Sequence, residues 1–301
     1  MIYLLGEIAA LFTSVCYSAG STLFSRAGQL VGSLVVNRIR LLVALIYLLL
    51  THLLLGLPMF THIEPFRWFW LSLSGVIGLA IGDALLLQAF VMIGVRLSML
   101  MMSFTPILTV LFGWLFLSER VSTPEMFGIL LTVGGIAWVI TEHNQDIKNG
   151  NLQTRQYLLG ILLGFGSAVT QTLAYITSKT GLQGSFPALT GSLVRMLAGT
   201  LAMWLITLLT RQVKPTFQRL SAQPRSVLFI LVGGFIGPFL GVTSSLVAIQ
   251  NAPVGIASTL MALPPVFLLP VGYLFFKERI GCQAVLGTLL AIAWVAVLFM
   301  V

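Results

Sequence analysis

Charged residues are scarce in this sequence, and their scarcity excludes a soluble fold. Only 8% of the 301 residues are Asp, Glu, Lys or Arg, whereas a typical soluble domain has about a quarter. Hydrophobic residues make up 58% of the chain, and the mean hydropathy is +1.03. The polar surface is too small to keep a chain of this length in water, so the composition predicts a polytopic membrane protein.

Cysteine and histidine are also rare. The two cysteines, Cys16 and Cys282, lie inside apolar runs, and the three histidines are isolated from one another. This pattern offers neither a disulfide framework nor metal-ligand spacing. The sequence contains no HExxH motif, no phosphate-binding loop and no nucleophile with an adjacent base. We therefore expect a protein that is not an enzyme or an ATP-driven pump, and that uses no metal and no cofactor.

Ten apolar runs have the length of about 20 residues that a membrane-spanning helix needs. A polar stretch at 142–155 divides them into a first half, 1–141, and a second half, 156–301, with five spans each. The predicted spans are 2–24, 31–56, 67–92, 97–117, 124–141, 156–178, 187–210, 226–249, 253–276 and 282–301.

The two halves repeat each other. The segment from Gly94 to Arg120 aligns with the segment from Pro253 to Arg279, and eight of the 27 aligned positions are identical. The other four spans also have partners: small-residue ridges match in spans 3 and 8, and Arg40 of span 2 aligns with Arg195 of span 7. Because five spans is an odd number, equivalent spans must cross the bilayer in opposite directions. The predicted fold is an all-α integral membrane protein with ten transmembrane helices in two five-helix inverted repeats.

The sixteen Lys and Arg residues give a net charge of +8 but form no patch that would suit nucleic acid. Most of them follow odd-numbered spans. By the positive-inside rule these loops are cytoplasmic, which predicts that both termini lie outside.

The chain resembles the EamA-type transporters of the drug/metabolite transporter superfamily. The resemblance rests on the two five-span halves, the proline within the fourth span of each, and the endings "LSER" and "FKER" of those spans. It implies export of amino acids or related small metabolites through a central cavity lined mainly by helices 1, 3, 4, 6, 8 and 9. It also implies cytoplasmic termini, opposite to the loop charges.

The paired prolines mark the first candidate site. Pro106 and Pro265 cannot donate to the carbonyls four residues earlier, those of Met102 and Met261. Interrupted helices at equivalent places of two inverted halves indicate a transporter's substrate site. Ser103 on span 4 is a further polar candidate. The alternative is that the prolines only shape helix packing.

Asp83 is the most specific single candidate. It is an acid within span 3, and the aligned residue in span 8 is Val242. Intramembrane acids usually face a cavity and mark ion or proton pathways. We expect Asp83 to contact substrate or carry a proton. The alternative is a structural carboxylate, paired with Arg38 or Arg40.

Polar and aromatic residues on three other spans complete the predicted substrate site. Tyr17 and Ser21 on span 1 align approximately with Gln171 and Tyr175 on span 6, and Ser244 lies on span 8. Their alternative role is hydrogen bonding between helices.

The arginines of spans 2 and 7 have two interpretations. Arg40 and Arg195 could extend to the lipid headgroups, or they could face the cavity and attract a carboxylate.

Together these features predict a secondary transporter of the inner (plasma) membrane that moves a small organic metabolite, such as an amino acid, by alternating access. We expect export with proton coupling. The partners would be the substrate, protons and the lipid bilayer, with no nucleic acid, and the chain would be a monomer or a weak homodimer. The alternatives are an uncoupled facilitator and an integral-membrane enzyme acting on a lipid intermediate.

Overall fold

The computed structural model describes residues 2–60, 63–117, 154–184, 186–264 and 266–267, and every regular element within them is a helix. In the first half, a π-helical segment, Gly75–Gly82, separates the third helix from the fourth. The α-helices of this half are α1 (Ile2–Val31), α2 (Ser33–Leu54), α3 (Pro65–Ser74), α4 (Asp83–Met102) and α5 (Thr105–Leu117). Helix α4 is broken at Gly94, whose backbone is not helical (φ 79°, ψ 165°), so its first part ends span 3 and its second part begins span 4.

The second half repeats this order. A π-helical segment, Phe235–Gly241, again lies in the third span of the half. The α-helices are α6 (Thr154–Gly181), α7 (Ala188–Leu209), α8 (Val213–Ala222), α9 (Pro224–Gly234), α10 (Val242–Asn251) and α11 (Val254–Met261).

Seven of the described helical stretches are long and apolar enough to cross a membrane. Six agree with a predicted span to within a few residues, and the first extends seven residues beyond the predicted end at residue 24. Two of the ten predicted spans, 124–141 and 282–301, lie outside the described residues, and only the start of 253–276 lies inside them. The seven are Leu4–Val31, Ser33–Leu54, Pro65–Val95 (span 3), Leu97–Leu117, Arg155–Gly181, Ala188–Leu209 and Pro224–Asn251 (span 8).

Both proline-bearing spans are interrupted, as predicted. The α-helix ends at Met102 and restarts at Thr105, with tight turns in which Ser103 N donates to Leu100 O at 3.0 Å. In the second half α11 ends at Met261, where the following amide also donates three residues back. Pro265 itself lies outside the described residues. The first break fits Pro106, which cannot donate to the carbonyl four residues earlier.

The two halves are joined by close helix contacts, in which the first helix of each half packs against the third span of the other. Helix α6 of the second half crosses span 3 of the first, where a Cβ on Gly78 would lie 2.7 Å from Ala174 Cβ. Helix α1 of the first half crosses span 8 of the second, where a Cβ on Gly237 would lie 3.9 Å from Gly20 Cα. Gly78 and Gly237 belong to the predicted small-residue ridges of spans 3 and 8, which let backbones approach where lipid supplies no hydrophobic drive.

The order of these contacts fixes the directions of the helices. Along α6, Gly181 meets Leu71 and Gly160 meets Ile93, so α6 runs antiparallel to span 3. Spans 1 and 3 run the same way because consecutive spans alternate. Spans 1 and 6 therefore run in opposite directions, as the inverted repeat predicts for this pair.

Helix α8 has no counterpart among the predicted elements. It is a ten-residue amphipathic helix between spans 7 and 8. Its buried Thr216 accepts a hydrogen bond from Arg38 Nη1 at 2.7 Å. The segment lies between predicted spans 7 and 8 and is too short and too polar to cross the membrane.

The crossing of spans 3 and 7 supplies a stability test. A Cβ on Gly75 would collide with the backbone carbonyl of Arg195, whereas a Cβ on Gly166 would lie at an ordinary 3.4 Å from Leu85 Cδ1. Because backbone cannot move as cheaply as a side-chain tip, Gly75→Ala should cost about 1–3 kcal/mol, as overpacking does. We expect a melting temperature several degrees lower in detergent, with Gly166→Ala unchanged as the matched control. Equal melting temperatures for both variants would contradict this packing.

Candidate functional site

A cavity lies between the two halves, at the level of the π-helical segments and the helix interruptions. About 90 Å³ of it is reachable by the centre of a water molecule, which is room for several waters. Its walls come from both halves. The lining residues are Tyr17, Gly20, Ser21, Phe24, Arg40, Leu79, Asp83, Leu86, Leu87, Phe90, Met99, Met102, Thr105, Gln171, Tyr175, Arg195, Gly237, Pro238, Val242, Ser258, Met261, Ala262 and Pro264.

An ion pair stands in the first-half wall of this cavity. Arg40 Nη2 donates to a carboxylate oxygen of Asp83, and Arg40 Nε donates to Asn37 Oδ1 at 2.9 Å. The guanidinium also lies 5.3 Å from the centroid of the Phe24 ring, within cation–π range. Arg40 thus has three partners, and its charge is neutralised by Asp83.

The π-helical segment holds this pair in place. Asn37 Nδ2 donates to the carbonyls of Leu79 and Ala80 at 3.4 and 3.2 Å. A carbonyl oxygen has two lone pairs, so it can accept this donor from a side-chain amide. Asp83 follows this segment directly, as the first residue of α4.

Arg195 is the second cationic residue in the wall, and it is 1% exposed. Its Nε and Nη1 are buried without a hydrogen-bond partner among the described residues. The headgroup interpretation was wrong for Arg40 and Arg195, because both side chains are buried and both line the cavity. Close glycine contacts with neighbouring spans hold them at this depth.

Two tyrosines and an amide form the polar part of the cavity. The Tyr17 hydroxyl lies beside those of Ser245 and Tyr175, and Tyr175 lies beside Gln171. They come from α1, α6 and α10. Ser21 lines the cavity too, and its hydroxyl donates to Ser18 O at 2.8 Å.

The cavity brings together seven of the eleven residues predicted to bind substrate. Ser103 is buried elsewhere, with its hydroxyl donating to Met99 O at 3.4 Å. Pro106 is buried in the first turn of α5, and Ser244 is half-buried on α10, both away from the cavity wall. Pro265 lies outside the described residues. The seven are Tyr17, Ser21, Asp83, Met102, Gln171, Tyr175 and Met261.

Sequence reasoning missed the apolar part of the wall. Phe24, Phe90 and Pro238 line the cavity, but each has the residue type expected of a lipid-facing or packing position. Nothing in a single apolar sequence distinguishes these environments. A usable signal existed for the arginines, since Arg40 and Arg195 recur at aligned positions of the two halves.

The sequence matches the EamA-like transporter family over residues 4–141 and 158–300. The chain belongs to the EamA-like transporter family. Its members are membrane transporters, so this EamA-like protein is a multi-pass membrane transporter with the two-repeat architecture that the sequence predicted.

The fold has an experimental counterpart. A solved structure described only as "Crystal structure of protein" aligns with a TM-score of 0.68, covering 98% of this chain and 96% of its own. The sequences are 15% identical, so the similarity establishes the fold alone. No curated protein matches this EamA-like chain at a significant level.

The Arg40–Asp83 pair can be tested by a double-mutant cycle. Removing one partner leaves the other charge buried and uncompensated, so Asp83→Leu and Arg40→Met should each destabilise the protein. The double variant should be less destabilised than the sum, with a coupling energy of roughly 1–3 kcal/mol. Unfolding followed in detergent would measure it, and strictly additive effects would contradict the pair.

Proposed function

We propose that this EamA-like protein is a proton-coupled secondary transporter of the inner membrane, which exports a small organic metabolite by alternating access. The cavity between the inverted halves would hold the substrate. The paired interruptions after Met102 and Met261 would allow spans 4 and 9 to bend on either side of it. The outward direction is supported by the resemblance to exporters.

The observation that carries the coupling is the ion pair of Asp83 with Arg40 on the cavity wall. A proton on Asp83 would cancel its charge, release the guanidinium and change the charge of the cavity by one unit. In the interior of a membrane protein such a change is energetically large. It can therefore favour one orientation of the two halves over the other, which is the requirement for coupling.

The second candidate function is an uncoupled facilitator. It is favoured by the fact that Arg40 already has all its partners within the protein. Arg40 is satisfied by Asp83, Asn37 and Phe24 together. If Asp83 stays ionised through the transport cycle, its role is to neutralise Arg40, and the substrate gradient alone drives transport.

Transport in liposomes separates these two functions. Purified protein would be reconstituted and given labelled amino acids, nucleobases and amphipathic drugs, with and without an imposed pH gradient. Flux that a pH gradient accelerates supports coupling, and flux that is indifferent to pH supports the facilitator. No flux with any compound would weaken the proposal that the protein is a secondary transporter of small organic metabolites.

Replacing Asp83 tests the coupling residue. Asp83→Asn keeps the size and the acceptor oxygen but cannot titrate, so we expect downhill flux to persist while acceleration by a pH gradient is lost. Glu7→Gln on α1 is the matched control, since Glu7 is a carboxylate outside the cavity wall. A variant Asp83→Asn that still responds to the gradient would remove Asp83 from the coupling mechanism.

Alternating access predicts that spans 4 and 9 move relative to each other. Thr109 Oγ1 and Ser258 Oγ are in hydrogen-bond contact between α5 and α11. In a background with Cys16→Ser and Cys282→Ser, the pair Thr109→Cys and Ser258→Cys should form a disulfide that stops transport. Reductant should restore it.

The single variants Thr109→Cys and Ser258→Cys serve as controls and should transport with or without oxidant. Undiminished flux in fully cross-linked protein would show that this contact does not open during transport.

A further inference from the structure

The two cavity arginines occupy equivalent places in the two halves. A Cβ on Gly75 of span 3 would collide with the carbonyl of Arg195, and a Cβ on Gly234 of span 8 would lie 3.7 Å from the carbonyl of Arg40. Gly75 and Gly234 are themselves repeat partners, since both stand at the end of an α-helix where the π-helical segment begins. The structure therefore supports the alignment of Arg40 with Arg195.

The surroundings of the two arginines differ completely. At the repeat offsets, the three partners of Arg40, which are Asn37, Asp83 and Phe24, correspond to residues that cannot replace them. These are Ser192, Val242 and Ser178.

None of the three compensates Arg195. Val242 has no acceptor and packs in an apolar cluster with Leu193 and Met196. The Ser178 hydroxyl bonds with Ser74 Oγ at 2.6 Å. The Ser192 hydroxyl has no partner among the described residues.

A buried guanidinium without a counter-ion is costly in a membrane protein. Arg40 and Asp83 cancel, so Arg195 gives the described cavity wall one excess positive charge. Arg195 is 1% exposed, and two of its nitrogens lack partners within the described residues. Such a group is stabilised by an anion that enters the cavity.

The rest of the wall indicates the kind of anion. A guanidinium matches the planar geometry of a carboxylate and binds it with two parallel hydrogen bonds. Tyr17, Tyr175 and Gln171 stand near Arg195 and supply neutral polar contacts. The other lining residues are mostly apolar, including Phe24, Phe90, Leu86, Leu87, Met99 and Met102. One excess charge and an apolar remainder suit a singly charged molecule with an apolar body.

We propose that Arg195 binds the carboxylate of the transported molecule, and that the substrate is a small monocarboxylate with an apolar body. This inference rests on the proposed transport function and narrows its substrate class. The substrate carboxylate would neutralise Arg195 as Asp83 neutralises Arg40. The second half has Val242 where the first has Asp83, so the acid would come from the substrate.

Binding to the purified full-length protein tests the inference. The probes are a panel of aromatic and branched aliphatic carboxylates, amino acids among them, the primary amide of each, and inorganic phosphate. We expect the best carboxylate to bind about tenfold or more tightly than its amide, because the amide leaves Arg195 uncompensated. Phosphate should bind weakly, since it offers nothing to the apolar wall.

Two variants separate binding from folding. Arg195→Gln should lose about tenfold or more in carboxylate affinity and leave amide affinity unchanged. Val242→Asp should lose carboxylate binding with Arg195 still present, because it supplies an internal counter-ion, and its melting temperature should not fall. Arg38→Gln is the matched control: Arg38 is a buried arginine of α2 bonded to Thr216, away from the cavity, so carboxylate affinity should be kept.

Several results would overturn the inference. These are equal affinity for carboxylates and amides, carboxylate binding that survives both Arg195→Gln and Val242→Asp, binding of phosphate alone, and no carboxylate binding at all. A failure of the transport function is distinguishable from these results. Carboxylate binding without flux in liposomes would support the Arg195 site and contradict the proposed transport. If the protein transports an uncharged compound and Arg195→Gln does not change that flux, the transport function stands and the carboxylate site at Arg195 is refuted.

Discussion

Helix backbones approach closely at glycines where the two halves of this structure meet. Helix α6 lies directly against span 3 at Gly78, and α1 lies against span 8 at Gly237. The first helix of each half thus packs against the third span of the other half, and the cavity lies between the two halves. In lipid, such contacts replace the hydrophobic drive that assembles soluble proteins. The same geometry that holds the halves together brings their polar residues to a common centre.

Several polar groups at that centre have partners within the protein. The Ser21 hydroxyl donates to Ser18 O of its own helix, and the Tyr17 hydroxyl lies beside Ser245 of the other half. Asn37 donates to two carbonyls of the π-helical segment. These arrangements obey the rule that backbone and side-chain polar groups need partners where water is absent. Arg195 departs from it, because two nitrogens of its buried guanidinium lack partners in the described residues.

The proposed proton and substrate sites depend on a difference between the two halves. Two inverted halves give a transporter two equivalent ways to open, but a symmetric cavity has no means to distinguish a proton site from a substrate site. Here Arg40 has an internal acid in Asp83, whereas the residue aligned with Asp83 in the half that contains Arg195 is Val242. One half therefore holds a neutral pair, and the other holds a charge. This division provides separate sites for the proton and for the substrate in the functions proposed above.

Much of the fold followed from the sequence alone, because each feature depends on local chemistry. Apolar length predicted the seven described spans, the missing donor at Pro106 predicted an interruption, and the odd number of spans predicted for each half indicated that spans 1 and 6 run in opposite directions. Seven of the predicted substrate residues line the cavity, and five of them are polar, as expected of intramembrane side chains that avoid lipid. The depth of Arg40 and Arg195, the contact of Asp83 with Arg40, and the apolar wall around Phe24 and Phe90 were decided only by tertiary structure. They depend on which helices of opposite halves touch, and that is set by packing between residues far apart in the chain.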